Sequence, residues 1–295
     1  MLGPTNFWMS LAGLVFFAAG AFVRRKEIGV ARGLEKLIVL GPVLIAAALA
    51  AFAPEHFQGP AFVKSMVPSW MPGHGLWAYF VGCALLAAAG SLTLRRFERL
   101  STTLLGLMFF LFVCMLYLPS ALRHPMNRMG WTYVLRDLSF CAGAWALAGL
   151  HSRSALPQQS KWLIVFARMV LAIAAVFYGL QHFLHPQFAP GVPLEKVMPA
   201  WVPLPAVWAY VAGAVLLAAG VCLAVNRKPR MAAVAIGALM AMLTLTLYMA
   251  ELILARGAPA INEGLNYVAD TLLYAGSALG LALALPWDSK GIERL

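Results

Sequence analysis

The chain has 295 residues, of which 62% are hydrophobic and only 11% are charged, and its formal net charge is +11. A soluble domain is typically about 45–50% apolar and about 25% charged, so this composition excludes a soluble globular enzyme and a disordered chain. The four Cys lie scattered in apolar runs without CxxC spacing, which argues against a disulfide scaffold, a thiol relay or a cysteine metal site.

Apolar stretches of the length that a membrane-spanning helix requires, about 20 residues, recur along the chain. We predict spans at residues 7–23, 36–53, 76–94, 101–118, 132–150, 162–180, 206–225, 232–250 and 265–285. The first stretch lacks the charged start and the cleavage site of a signal peptide, so it is predicted to remain as an anchor. The expected fold is an all-α integral membrane protein of about nine transmembrane helices.

The basic residues follow the predicted topology. If the segment after the first span is cytoplasmic, 15 of the 22 Lys and Arg fall on the cytoplasmic side. By the positive-inside rule, this distribution predicts an outside N-terminus and a cytoplasmic C-terminus in a bacterial inner membrane. The basicity therefore reflects topology, and we expect a lipid bilayer, not nucleic acid, as the partner.

The sequence contains an internal repeat. Residues 68–90 and 199–221 share 11 identities in 23 positions at a constant offset of 131, and His56 meets His182 at an offset of 126. Asp137 pairs with Asp270 at an offset of 133, and the second copy has five extra residues between its His and its Trp. We predict an anchor at 1–33, a first four-helix repeat at 34–155 and a second at 156–295. Because four spans are an even number, the two copies should be parallel repeats.

Polar side chains concentrate at the predicted outer end of the spans, under apolar outer loops at 54–75 and 181–205. In the second copy they are His182, Tyr210, Tyr248, Glu251, Asn266, Tyr267 and Asp270, and in the first they are His56, Tyr79, Tyr117, Tyr133, Arg136 and Asp137. Ionisable groups within a bilayer usually mark function or a structural pair. In the functional interpretation, His182 or His56 exchanges protons with a ligand beside Asp270 or Asp137. In the structural alternative, these groups only cap helix ends and bond to one another.

Other chemistries find less support in the sequence. His56 and His182 could each ligate a haem, but haem ligands of membrane bundles usually lie deeper in their helices. A metal site of His182, His185 and Glu195 has weak spacing, so we expect no metal. The chain has no Gly-rich phosphate loop, no Ser/His/Asp arrangement and no HExxH motif.

Residues 167–172, with Arg168, and residues 178–183, with Gly179 and His182, resemble the start of the DoxX-like family of four-helix membrane proteins. The motifs that follow, among them Trp201-x-Pro203 and Trp208-Ala209-Tyr210, look like the rest of one subgroup, and the similarity covers about 34–285 as two copies. The first copy has Pro42 and Ala53 in place of Arg168 and Gly179, so it is expected to have kept the scaffold and lost the site. Arg168 itself either snorkels to the inner headgroups or needs a buried partner.

The resemblance implies a redox setting, and we consider three functions. The first is a quinone-linked redox subunit that binds a lipophilic ligand near the outer membrane face. In that site His182 would bind a carbonyl oxygen, Asp270 and Glu251 would handle protons, and Trp201 and Tyr210 would pack against the ring. The remaining ligand-binding candidates are His56, Tyr248, Asp137 and Arg168. The second is a non-catalytic accessory subunit or assembly factor for membrane or periplasmic redox partners, and a small-solute carrier ranks last.

Overall fold

The computed structural model describes residues 3–58 and 60–286. Within these ranges the chain is helical and forms no strand, apart from one isolated antiparallel bridge between Phe188 and Val197. Proline at the first or second position begins several of the long helices, where its missing N–H costs nothing.

The helices follow one another with short connections at one end and longer ones at the other. The first seven are α1 (Pro4–Val23), α2 (Arg25–Val30), α3 (Glu35–Gln58), α4 (Pro60–Met66), α5 (His74–Leu94), α6 (Glu98–Phe112) and α7 (Leu118–Arg123). The others are α8 (Arg128–Ser152), α9 (Pro157–Leu184), α10 (Pro205–Ala224), α11 (Pro229–Leu243), α12 (Met249–Leu254) and α13 (Ala258–Ala284). Single π-helical turns, Val113–Tyr117 and Thr244–Tyr248, join α6 to α7 and α11 to α12.

The membrane-spanning prediction is confirmed for eight of the nine spans. In the described part of the chain, eight helical runs are long and apolar enough to cross a membrane, with α6–α7 and α11–α12 each counted as one run. The ninth predicted span corresponds to α8, which is less apolar because it carries Arg136 and Asp137. At 25 residues, α8 has a length of about 37 Å, sufficient for a bilayer core.

The two halves of the chain, α1–α8 and α9–α13, pack against each other. The first long helix of each predicted repeat packs against the fourth helix of the other, α3 on α13 and α9 on α8, while α8 and α13 touch each other at the centre. Gly143 of α8 meets Ser277 of α13 with no room for a Cβ atom, the kind of small-residue contact that brings membrane helices together. The predicted boundaries near residues 34 and 156 fall in the connections before α3 and α9.

The end with short, basic connections, at residues 24–34, 95–97, 153–156 and 225–228, is called the basic end. Here Arg24 is buried and donates to Leu92 O and to Glu98, while Arg95 pairs with Glu27. These contacts tie the anchor α1 and the short α2 to α5 and α6. Since α1 also packs along α3, it covers one flank of the first half.

The opposite end carries the long connections at residues 59–73 and 185–204, and is called the long-loop end. The second connection forms a compact loop, the 187–198 loop, in which Ala189, Val192 and Leu194 are each no more than 1% exposed. The middle of this loop, residues 189–194, therefore lies inside the protein rather than on its surface.

Candidate functional site

A cavity of about 830 Å³ lies towards the long-loop end between α3, α5, α6, α8 and α13. This is within the range of about 300–1,000 Å³ that is typical of small-molecule sites. All of its walls come from the first half, except for α13 and Glu195 of the 187–198 loop. Most of the lining is apolar, with Phe, Met, Leu and Val side chains on α3, α5 and α6.

The centre of the polar wall is Arg136 on α8. Its guanidinium donates to Asp137 Oδ1 at 2.8 Å, to Asp270 Oδ2 at 3.2 Å and to Tyr117 Oη at 3.4 Å. It also lies 5.2 Å from the centre of the Tyr133 ring. A single cation therefore joins α8 to α13 and binds two carboxylates, a set that carries one unbalanced negative charge if both are ionised.

Glu195 reaches this wall from the 187–198 loop. Its carboxylate accepts hydrogen bonds from Tyr133 on α8 and from Tyr267 on α13, the latter at 3.1 Å. The neighbouring Lys196 pairs with Glu251 and Glu263, and its Nζ atom lies 5.2 Å from the centre of the Tyr267 ring. Glu195, a residue of the second half, thus completes the wall of a cavity that is lined mostly by the first half.

A third polar group lies where α3 approaches α13. Glu55 Oε1 accepts from the side-chain amides of Asn262 at 2.8 Å and Asn266 at 2.9 Å. All three residues line the cavity. The wall therefore offers acceptor carboxylates, tyrosine hydroxyls and one guanidinium to a bound molecule.

Three predicted site residues, His56, Asp137 and Asp270, line this cavity. The Nδ1 atom of His56 bonds to Phe52 O at 3.2 Å, and its Nε2 atom has no hydrogen-bond partner in the described residues. Because Phe52 O can only accept, Nδ1 carries a proton, and in the neutral imidazole Nε2 is then an acceptor.

The other predicted site residues do not line the cavity. His182 is fully buried, with Nδ1 2.6 Å from Tyr178 O and Nε2 accepting from Gly191 N at 3.2 Å. Tyr248 is also buried and donates to Pro190 O at 3.2 Å. Since backbone groups satisfy both His182 nitrogens, neither is free to ligate a haem iron.

The remaining candidates lie at the edges of the bundle. Trp201 Nε1 donates to Glu251 Oε1 at 3.0 Å, and Tyr210 stacks on Phe183 while its side chain stays half-exposed. Arg168 donates to Leu223 O at 2.5 Å, at the basic end of α10. The buried partner that Arg168 needs is thus a backbone carbonyl, a kind of partner that no sequence motif reveals.

Contacts in the two halves recur at the offsets of the sequence repeat. Phe57 stacks on Tyr79 as Phe183 does on Tyr210, and Trp77 Nε1 donates to Pro72 O as Trp208 Nε1 does to Pro203 O, both at 3.1 Å. The two π-helical turns start 131 residues apart, at Val113 and Thr244. Such turns often occur at functional sites. Here they end at Tyr117 and Tyr248, two of the polar residues predicted at the outer end of the spans.

Sequence reasoning missed Glu55, Asn262 and the role of Glu195 as part of the cavity wall. The available signal for Glu55 was a carboxylate next to a predicted site residue at the end of an apolar helix. No sequence signal placed Glu195 across from Tyr133 and Tyr267, because that contact depends on the path of the loop. Among the described residues, no group of three His, Cys, Asp or Glu side chains could hold a metal ion.

Two family models match separate parts of the chain. Residues 45–136 match a domain of unknown function, DUF8561, and residues 163–249 match DoxX. No curated protein and no solved structure matches the chain. The DoxX match takes in most of α9, all of α10 and α11 and the π-helical turn that follows, the part of the chain that contains the motifs of the sequence resemblance. The chain is therefore an all-α membrane protein whose residues 163–249 match the DoxX family model.

Proposed function

We propose that the protein binds a lipophilic molecule with a hydrogen-bonding head group in the cavity between α3, α5, α6, α8 and α13. The observation that carries this proposal is the division of the cavity into an apolar part and one polar wall around Arg136. The polar wall would fix the head group, and the apolar part would hold the ring or tail.

Entry would take place from the lipid, between α5 and α6. Phe80 on α5 and Leu111 on α6 both line the cavity and are 58% and 44% exposed. A molecule dissolved in the bilayer could pass between these two side chains without crossing a polar surface. Supporting this route, every residue of α5 and α6 that lines the cavity is hydrophobic.

A quinone is the redox-active candidate for this ligand. Its carbonyl oxygens would accept hydrogen bonds from Tyr117 or Arg136, and its tail would lie against residues such as Phe109 and Met108. Bound there, a quinone would supply two-electron redox chemistry, for which this chain would need an external electron donor. The residues of the chain itself would bind and orient the head group and keep water from it.

The proposed membrane is the bacterial inner membrane, with the long-loop end outside and the basic end in the cytoplasm. The basic connections at residues 24–34, 95–97, 153–156 and 225–228 support this orientation, since they all lie at one end of the bundle.

The proposal is tested by filling the cavity from one side. Leu116 lines the cavity, and we expect Leu116→Trp to lower the affinity for a short-chain ubiquinone at least tenfold, because the indole would occupy the ligand's space. The measurement is equilibrium binding to the full chain in phosphatidylcholine nanodiscs, corrected with empty discs.

The matched control is Leu14→Trp, since Leu14 is 69% exposed on α1 and does not line the cavity. This variant should bind as the unmodified chain does. Equal affinity in both variants, or no binding by any of the three proteins, would contradict the proposal and favour the alternative of a non-catalytic accessory subunit.

A further inference from the structure

The 187–198 loop is buried more deeply than a connection between membrane helices normally is. Val192 is 0% exposed and Leu194 is 1% exposed, and the loop is closed by paired bonds between its two arms, Ala189 N to Lys196 O and Met198 N to Gln187 O. Arg128 of α8 donates to Leu194 O at 2.8 Å and covers the ring of Phe188. The loop is thus held from both halves of the protein.

The tip of this loop bonds to two side chains of the second half. Gly191 N donates to His182 Nε2, and Pro190 O accepts from Tyr248 Oη, both at 3.2 Å. One peptide group therefore supplies a donor to the histidine and an acceptor to the tyrosine. Gly191 has φ +149°, and a Cβ atom there would lie 2.5 Å from Tyr248 Oη, so the fit is tight.

In the first half, the residues at the repeat offsets are His56 and Tyr117, and both line the cavity. The two histidines share the same arrangement, with Nδ1 bonded to the carbonyl four residues earlier, Phe52 O for His56 and Tyr178 O for His182. Each also packs its Cβ against a glycine of the next long helix, Gly82 or Gly213. What differs is that His56 lines the cavity and its Nε2 has no peptide partner among the described residues, whereas His182 Nε2 accepts from Gly191 N.

We infer that the 187–198 loop fills the second half's counterpart of the cavity, and that its Pro190–Gly191 peptide stands where the ligand's head group lies in the first half. The ligand then carries an acceptor oxygen for Tyr117 Oη and a neighbouring donor for His56 Nε2. A secondary amide on a lipophilic chain has this chemistry, and so does a quinol hydroxyl. This inference rests on the proposed function, and adds that each chain holds one such ligand.

The donor requirement follows from the state of His56. In the neutral imidazole, with the Nδ1 proton bonded to Phe52 O, the Nε2 atom accepts a hydrogen bond and has no proton to donate. A ligand with acceptors alone, such as a tertiary amide or an oxidised quinone, would leave Nε2 without a partner in an apolar cavity. A buried acceptor without a donor is costly, so the cavity should discriminate between the two kinds of ligand.

The test uses two probe pairs, and in each pair only one member carries a hydrogen-bond donor. N-methyldodecanamide is compared with N,N-dimethyldodecanamide, and a short-chain ubiquinol with its quinone, by calorimetric binding to the full chain in phosphatidylcholine nanodiscs. Empty discs correct for partition into lipid. We expect the donor-bearing member of at least one pair to bind about 5–10 times more tightly, as one buried hydrogen bond would give. The pair with the larger affinity difference identifies whether the ligand's donor is an amide N–H or a quinol O–H.

Variants of His56 and Tyr117 test whether these two residues cause the affinity differences. His56→Phe should abolish the difference within a pair, and Tyr117→Phe should weaken both members of a pair because the acceptor loses its donor. Tyr79→Phe is the control, since Tyr79 does not line the cavity and should leave every affinity unchanged. Each variant must elute as a monodisperse species with an unchanged melting temperature.

Equal binding within both pairs would overturn the inference and leave the proposed function standing. Discrimination that survives in His56→Phe would also overturn it. If no probe of either pair binds, the proposed function itself has failed. Stoichiometry gives a second check, because two molecules per chain would mean that the loop does not fill the second position.

Discussion

Arg136 determines how the two halves meet at the polar wall. It is the only one of the residues lining the cavity that carries a permanent positive charge, and it bonds to carboxylates that occupy equivalent positions in the repeat, Asp137 and Asp270. The residue equivalent to Arg136 in the second half is Ala269, so a single guanidinium lies between two equivalent aspartates. The two copies of the repeat thus differ at a residue that lines the cavity, Arg136.

Removing this cation should be strongly destabilising. Arg136→Met leaves two carboxylates in a largely buried position without a counter-charge, and we expect a loss of about 3–5 kcal/mol in the free energy of unfolding. The double variant Arg136→Met with Asp270→Asn should recover part of the loss. The measurement is denaturant unfolding in mild detergent, and an Arg136→Met protein of unchanged stability would show that the ion pairs contribute nothing.

Gly191 sets the position of the loop tip. Its φ of +149° is one that side chains rarely adopt, and an added Cβ would meet the Tyr248 hydroxyl. Gly191→Ala should therefore cost roughly 1–3 kcal/mol or displace the loop. Adding Tyr248→Phe to Gly191→Ala should relieve part of this cost. Thermal unfolding of the unmodified chain, the two single variants and the double variant checks the coupling. The loop as described would be refuted if Gly191→Ala had no effect.

At the scale of the elements, the sequence predicts the long helices well because each one needs a continuous apolar run. The runs at 36–53 and 162–180 correspond to the longer helices α3 and α9. Their polar ends, with His56 and His182, extend the helices beyond the apolar stretch, and a hydropathy pattern does not register that extension. Pro42 and Pro54 lie within α3, so proline is no guide to where this helix ends.

The sequence does not predict which helices are neighbours. Apolar faces turned to lipid and apolar faces turned to protein have the same composition, so the pairing of α3 with α13 and of α9 with α8 leaves no trace in the hydrophobic pattern. The expectation that the first copy had lost its site rested on Pro42 and Ala53 replacing Arg168 and Gly179. In the structure the cavity lies in the first half, and Arg168 bonds to a backbone carbonyl far from it.

The polar residues at the long-loop end could be predicted from the sequence, but the position of the cavity could not, because it depends on the path of the 187–198 loop. The polar residues at the long-loop end are visible in the sequence because charged and hydroxyl groups are rare in apolar helices. Which half is open depends on the path of residues 187–198, where the second copy has five extra residues. Their number shows that the two copies differ, but it does not show that the chain turns inwards to meet His182 and Tyr248.

For the whole molecule, we propose that the two halves are diverged copies of one four-helix unit, of which one keeps an open cavity and the other is filled by its own loop. The recurring contacts of Phe57 with Tyr79 and of Phe183 with Tyr210 support this proposal, as do the two π-helical turns. Glu195 would then couple the halves, because the loop that fills one position also completes the wall of the other.

The orientation of the molecule has its own test. A fluorescent protein that matures only in the cytoplasm should be bright when fused to the C-terminus, and a periplasmic phosphatase should be active when inserted between residues 124 and 127, in the connection before α8. The opposite pattern would reverse the proposed topology. A phosphatase inserted into the connection at residues 225–228 serves as the inactive control.

The most direct measurement is an experimental structure of the full chain in lipid nanodiscs, prepared with a donor-bearing probe that binds. We predict ligand density in the cavity between α3, α5, α6, α8 and α13, with its polar end within hydrogen-bonding distance of Tyr117 Oη and His56 Nε2. We also predict that the 187–198 loop stays against His182 and Tyr248. Density beside His182 with the loop displaced, or a closed cavity with the ligand bound elsewhere, would contradict the proposed binding mode.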